Sequence, residues 1–156
     1  MTEPASKLSI GTAQFGMPYG IANKNGQVHQ NEITAILDMA WENGISMMDT
    51  AKAYGTSEES IGDYLKQHSK SSWEIITKIG KSRYNIVDQI NDSIFNLTIH
   101  PYSVLAHSAE LFLDEAFQSE LKGIKDKGLI KKIGVSLYNE NEINKILESS
   151  FKPDII

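Results

Sequence analysis

The feature that most constrains this chain is an alternation. Short apolar runs and longer apolar stripes at helical spacing follow one another from about residue 8 onward. Residues 8–13, 45–48, 73–78, 102–106 and 132–136 read as strands, being short, β-branched or apolar, and bounded by turn residues. Between them, Ile33, Ile36, Leu37, Ala40 and Trp41 recur at helical spacing. So do Ile61, Tyr64 and Leu65; Ile86, Val87, Ile90, Ile94 and Leu97; Leu113, Phe117, Leu121 and Ile124; and Ile143, Ile146 and Leu147. Residues 153–156 open a sixth apolar run. Strict alternation of this kind imposes right-handed βαβ units and a parallel sheet.

Two parallel folds compete. A doubly wound sheet usually carries a phosphate loop after its first strand, but Gly11-Thr12-Ala13-Gln14-Phe15-Gly16 is neither G-x-G-x-x-G nor a Walker loop. A (β/α)8 TIM barrel needs about 250 residues. The 156 residues then amount to five βα units plus the start of strand six. The chain reads as a single α/β domain over 1–156, an incomplete barrel cut short at its C-terminal side.

Composition excludes several roles. A net charge of -5 offers no electrostatic footprint for nucleic acid or anionic lipid. The absence of cysteine excludes a disulfide framework and thiolate metal sites. The N-terminal stretch is polar, without the apolar core of a signal peptide, and no apolar run approaches ~20 residues. A cytoplasmic location is the expectation. His29, His68 and His100 lack metal-ligand spacing and read as surface or loop residues. The lysines at 122, 125, 127, 131 and 132 read as a solvated helix end.

Ligands of parallel α/β folds bind at the C-terminal ends of the strands. Strand one delivers Thr12 and Ala13 there. Strand two delivers Asp49, with Tyr54 in the loop beyond, and Thr56-x-x-Glu59 then predicts a capping box opening the next helix. Strands three, four and five deliver Lys78, His107 and Ser136. Taken singly, Asp49 can be a cap, Tyr54 a packed aromatic and His107 a structural histidine. Lys78 inside Ile-Ile-Thr-Lys-Ile is harder to place that way, because a charge on a buried strand needs a partner.

Together the four make chemical sense. A free phenol, with a pKa of about 10, is a poor acid at neutral pH, and an ammonium within hydrogen-bond range favours its phenolate. A carboxylate holds the ammonium in place, and an imidazole can donate to a substrate oxygen. The set suits a carbonyl that must take up a proton as it is reduced.

Asp49-x-Ala51-x-x-Tyr54-Gly55-x-Ser57-Glu58 resembles the signature of the aldo-keto reductases. Lys78, His107, Gly134-Val135-Ser136 and the opening Gly11-Thr12-Ala13-Gln14-Phe15-Gly16 stand where that family, especially its bacterial members, has them. The resemblance runs from about Leu8 to the last residue. It implies a (β/α)8 barrel that binds NADP(H), with NAD(H) as the alternative, and reduces a small carbonyl or oxidises the corresponding alcohol. It further implies Tyr54 as proton donor, tuned by Lys78 and Asp49, with His107 orienting the carbonyl. Thr12, Ala13, Asp49 and Ser136 would lie against the cofactor. Many members carry Asn directly after the strand-five Ser; here the residue is Leu137. Two other roles stand beside the enzyme: a non-catalytic cofactor-sensing barrel, and an inactive fragment lacking the rest of the cofactor site. Phe15 and Tyr19 are further expected at the pocket wall. Oligomeric state and physiological substrate are not legible in the sequence.

Overall fold

The computed structural model describes residues 7–68, 72–81 and 85–156. Its order of elements is β1 (Ile10–Gly11), α1 (Ala13–Gly16), α2 (Gln30–Glu42), β2 (Met47–Asp49), α3 (Ser57–Gln67), β3 (Glu74–Ile79), α4 (Ile86–Leu97), β4 (Ser103–Ala106), α5 (Ala109–Phe112), α6 (Glu115–Asp126), β5 (Lys132–Val135) and α7 (Glu140–Glu148). The five strands form one parallel sheet in the order β1-β2-β3-β4-β5. Each strand pairs with its successor in sequence, Ile10 with Met48 and Leu105 with Gly134 for instance. A doubly wound sheet reverses its strand order at a switch point. No reversal occurs here, which leaves the barrel-type winding.

The sixth run contributes one bridge, Ile155 beside Gly134, rather than a full strand. Asp154 fastens it: its backbone N–H donates to Ile133 O at 2.7 Å, and its carboxylate accepts from Ile133 N–H at 2.8 Å.

The core forms two clusters. Phe15, Ile33, Leu37, Met48, Ile61, Tyr64 and Trp73 pack β1 and β2 against α2 and α3. Val104, Phe112, Phe117, Leu121, Ile133 and Ile146 pack the later strands against α4 to α7. β3 is buried on both faces, as parallel strands under helices are. Its pleat turns Thr77 toward α3, where it bonds Glu58, and the next residue, Lys78, to the other face, where it bonds Asp49.

Several sequence expectations need correction. The capping box at Thr56 does not form. Thr56 sits at φ -93, ψ 17, outside the extended region of an N-cap, and makes no side-chain cap; its Oγ1 instead accepts from Gln27 Nε2 at 3.0 Å. At α7, Asn139 caps Glu142 N–H at 3.1 Å, and Glu142 reaches back past the cap to Tyr138 N–H at 2.7 Å, one residue before the N–H a capping box would use. The stripe from Leu113 to Ile124 is not one helix. Leu113 ends α5, and Asp114 starts α6 by accepting from Phe117 N–H at 2.9 Å. Of the last stripe only Ile146 is buried. His68, read as a surface or loop residue, lies just past the end of α3, half-buried, and stacks on Tyr64 with ring centroids 4.1 Å apart. Phe15 is a core residue, 3% exposed, rather than a pocket wall. Tyr19 is exposed. Among the described residues, no helix is long and apolar enough to cross a membrane and no cluster of potential metal ligands occurs.

Candidate active site

The sheet register brings the expected residues together from the strands upward. Asp49 ends β2 and pairs across to Ile76; Lys78 lies two residues further along β3, level with Leu105 of β4. His107 follows β4 directly, its backbone N–H donating to Ile79 O at 2.9 Å. Parallel strands in this register place Asp49, Lys78 and His107 on one rim.

Lys78 is the centre. It is 7% exposed, and its ammonium donates to both Asp49 carboxylate oxygens at 2.7 Å and to Thr50 O at 2.9 Å. The hydroxyl of Tyr54 lies 3.5 Å from the same nitrogen, at the outer limit of a hydrogen bond. A buried ammonium is tolerated only with partners such as these. Its Nζ also stands 5.0 Å from the Tyr54 ring centroid, within cation–π range.

His107 completes the group, its ring meeting that of Tyr54 edge-on at a centroid distance of 6.3 Å. Burial holds its imidazole below the ordinary histidine range, and the positive charge of Lys78 adds to that, with Asp49 pulling weakly the other way. The ring is therefore neutral at pH 7, with one nitrogen donor and one acceptor.

Tyr54 reaches this position because its loop lies on the β1–α1 turn without side chains between. Gly55 has φ +57, the left-handed region that glycine enters freely. A Cβ on Gly55 would stand 2.2 Å from Gly16 O, and one on Gly16 would stand 1.7 Å from Tyr54 O. Only glycine fits either position. Gln27 reinforces the contact by donating to Phe15 O at 2.9 Å and to Thr56 Oγ1.

The residues expected against a cofactor divide. Ser136 follows β5, half-buried, with its N–H on Ala106 O at 2.9 Å and no hydrogen bond from its hydroxyl to the described residues. Ala13 opens α1 just past β1, half-exposed, at the opposite edge of the sheet from Ser136. Thr12 is fully buried, and its hydroxyl donates to Asp49 O at 2.9 Å. Leu137 packs against the second core cluster. The Ser136 hydroxyl and the His107 imidazole, neither hydrogen-bonded among the described residues, fit a polar group held at this rim.

Sequence reasoning missed the polar layer beneath. Thr50 Oγ1 donates to Ser57 Oγ at 3.0 Å, and Thr77 Oγ1 donates to the buried Glu58 carboxylate at 2.7 Å. The available signal was the hydroxyl residues on or just after the strands, Thr12, Thr50 and Thr77, where an apolar residue would serve a core equally well.

Comparison with known proteins bears on this arrangement. The sequence model of the aldo/keto reductase family matches residues 7–156. D-threo-aldose 1-dehydrogenase of a Pseudomonas species is 34% identical over 85 residues, 51% of this chain and 26% of its own. An aldo-keto reductase structure from Pseudomonas aeruginosa is 28% identical, with TM-score 0.70 over 82% of this chain and 54% of that one. An aldo/keto reductase from Klebsiella pneumoniae, solved in complex with NADP and acetate, shares the fold at 17% identity and TM-score 0.71 over 91% of this chain and 49% of that one. The chain spans about half the length of these solved relatives. With the family's model matched along nearly its whole length, the chain belongs to the aldo-keto reductase family.

Proposed function

We propose that this chain carries the catalytic face of an NADPH-dependent reductase of aldehydes or ketones, working in reverse on the corresponding alcohols. One observation carries the reading: the Lys78 ammonium stands between the Asp49 carboxylate at 2.7 Å and the Tyr54 hydroxyl at 3.5 Å. The nicotinamide, when bound, supplies hydride to the carbonyl carbon. Every other step belongs to the protein. Tyr54 O–H donates its proton to the substrate oxygen. Lys78 stabilises the phenolate left behind, and Asp49 keeps Lys78 charged and in place. Neutral His107 donates an N–H to the same oxygen and fixes the direction from which it meets Tyr54. Ser136 and Ala13, at the rim, would hold the reactive end of the cofactor, with Asp49 and Thr12 beneath them.

The Klebsiella relative bound to NADP supports the choice of cofactor, and the Pseudomonas dehydrogenase supports including aldoses among test substrates. The test measures loss of NADPH absorbance with p-nitrobenzaldehyde and with an aldose. Tyr54→Phe is expected to lower turnover by about 10²–10⁴-fold. NADPH binding, read by quenching of tryptophan fluorescence, should be nearly unchanged. Undiminished turnover in that variant refutes the donor assignment, and NADPH binding without turnover in the unmodified chain favours a sensing role.

A further inference from the structure

Beneath the catalytic rim runs a chain of three hydroxyls, of which only that of Thr12 enters the reading above. Thr12, Thr50 and Ser57 are each 0% exposed. Thr50 Oγ1 donates to Ser57 Oγ at 3.0 Å; Ser57 Oγ lies 2.9 Å from both the hydroxyl and the carbonyl of Thr12; Thr12 Oγ1 donates to Asp49 O at 2.9 Å. Each hydroxyl has a single proton to give. With the proton of Thr12 committed to Asp49 and that of Thr50 to Ser57, Ser57 donates to Thr12, and the chain runs in one direction.

Ser57 is the member that does not belong to a strand end. It opens α3, and its backbone N–H donates to the carbonyl of Tyr54 at 3.1 Å. At the other side of the chain, the carbonyl of Thr50 is an acceptor of the Lys78 ammonium. One buried side chain therefore ties the segment bearing the proposed proton donor to the two residues, Asp49 and Thr50, that hold the lysine.

We propose that Ser57 is a positioning residue: its buried hydroxyl holds the end of β2 against the Tyr54 loop and so sets how closely the Lys78 ammonium approaches the Tyr54 hydroxyl. The proposal rests on the reading of Tyr54 as proton donor. A hydroxyl that only satisfied buried neighbours would support stability without touching the rate per folded molecule.

The variants are Ser57→Ala, Thr50→Val, which cuts the chain while keeping shape, and Thr50→Ser, which keeps the hydroxyl. NADPH oxidation with p-nitrobenzaldehyde is measured per folded molecule, together with a crystal structure of a chain-cutting variant. Ser57→Ala and Thr50→Val are each expected to lower kcat roughly ten- to hundredfold, as small misplacements of catalytic groups do. KM for the aldehyde should stay within about twofold, since substrate contacts are untouched. The double variant should be no slower than either single one, because one chain is cut once. Thr50→Ser should recover most of the rate. In the crystal structure, the 3.5 Å separation of Lys78 Nζ and Tyr54 Oη should lengthen. A lower melting temperature with unchanged kcat overturns the proposal, and so does an unchanged separation. Where Ser57→Ala does not fold, Thr50→Val decides. Tyr54→Phe is run alongside: if it keeps full turnover, the donor assignment has failed by itself, and the separation alone then judges Ser57.

Discussion

Around β1 to β3, backbone meets backbone: Gly16 lies against the Tyr54 loop, Gly62 lies against Asn96 O, and buried hydroxyls join strand ends to α3. Around β4, β5 and α5 to α7, the contacts are apolar side chains and locally capped helices, each cap bonding a residue three positions on. The first region carries Asp49, Tyr54 and Lys78, whose mutual spacing the proposed chemistry needs. The second carries His107 and Ser136, whose side chains make no hydrogen bond among the described residues. A contact of backbone on backbone leaves no side chain to yield, whereas apolar side chains can change rotamer to take up a small shift. The groups that must be mutually fixed thus occupy the region that allows least relaxation.

Adding one carbon to each region exposes the contrast most strongly. Gly16→Ala would drive a Cβ to 1.7 Å from Tyr54 O and 2.3 Å from Ser57 N, both backbone atoms that cannot turn away. The expected loss is about 3 kcal/mol or more, the upper range for overpacking, with the Tyr54 loop displaced. Gly123, inside α6, has nothing within 4 Å of an added Cβ. Gly123→Ala is expected to stabilise the protein by about 0.5–1 kcal/mol through helix propensity. Urea denaturation of both variants gives the test; equal effects would erase the distinction between the regions.

The same contrast explains what the sequence made legible. The Ile-Ile-Thr-Lys-Ile run announces a buried strand with a charge that needs a partner, and period and turn residues locate it without tertiary knowledge. Helix α4 likewise follows from its stripe, and the structure places it at Ile86–Leu97. The hydroxyl chain leaves no such trace: Thr12 meets Asp49 across 37 positions and Ser57 across 45. Thr56 misleads for a related reason, since a distant side chain, Gln27, claims the oxygen that local pattern assigns to capping. Ile143 and Leu147 fit a helical stripe yet stand 40% and 63% exposed, because periodicity marks an apolar face without showing what covers it.

His107 sits where the regions meet, and its titration reads their coupling. Burial and Lys78 depress its pKa, and Asp49 opposes them. The unfolded chain therefore binds a proton at a higher pH than the folded one. Stability from this group is complete above the ordinary histidine value and is lost as pH falls through the depressed one. Lys78→Met is expected to raise the midpoint, removing a repulsive charge and releasing Asp49 to attract; Asp49→Asn is expected to lower it further. Proton NMR of the His107 ring checks both signs. A midpoint indifferent to Lys78 would mean that His107 is electrically isolated from the first region.

The smallest effect is expected where the second region holds residues 153–156. Asp154 accepts from Lys125 at 2.6 Å and from Ile133 N–H at 2.8 Å. Burial pushes its carboxyl upward, but the bonds from Lys125 and Ile133 and the charges of Lys125 and Lys132 outweigh it and hold the pKa below the ordinary range. Its stabilising contribution is present above the ordinary carboxylate value and fades as pH falls through the depressed one. Both partners of the pair are about a third exposed, so solvent and salt screen it. Asp154→Asn keeps an acceptor for Ile133 and loses only the ion pair, at an expected cost below about 1 kcal/mol at neutral pH. The difference from the unmodified protein should shrink in high salt and disappear under acid conditions, as urea denaturation at several pH values would show. A loss of several kcal/mol would mean that this segment is fastened as firmly as the Tyr54 loop, and the division between a rigid and a looser region would then stop short of β5.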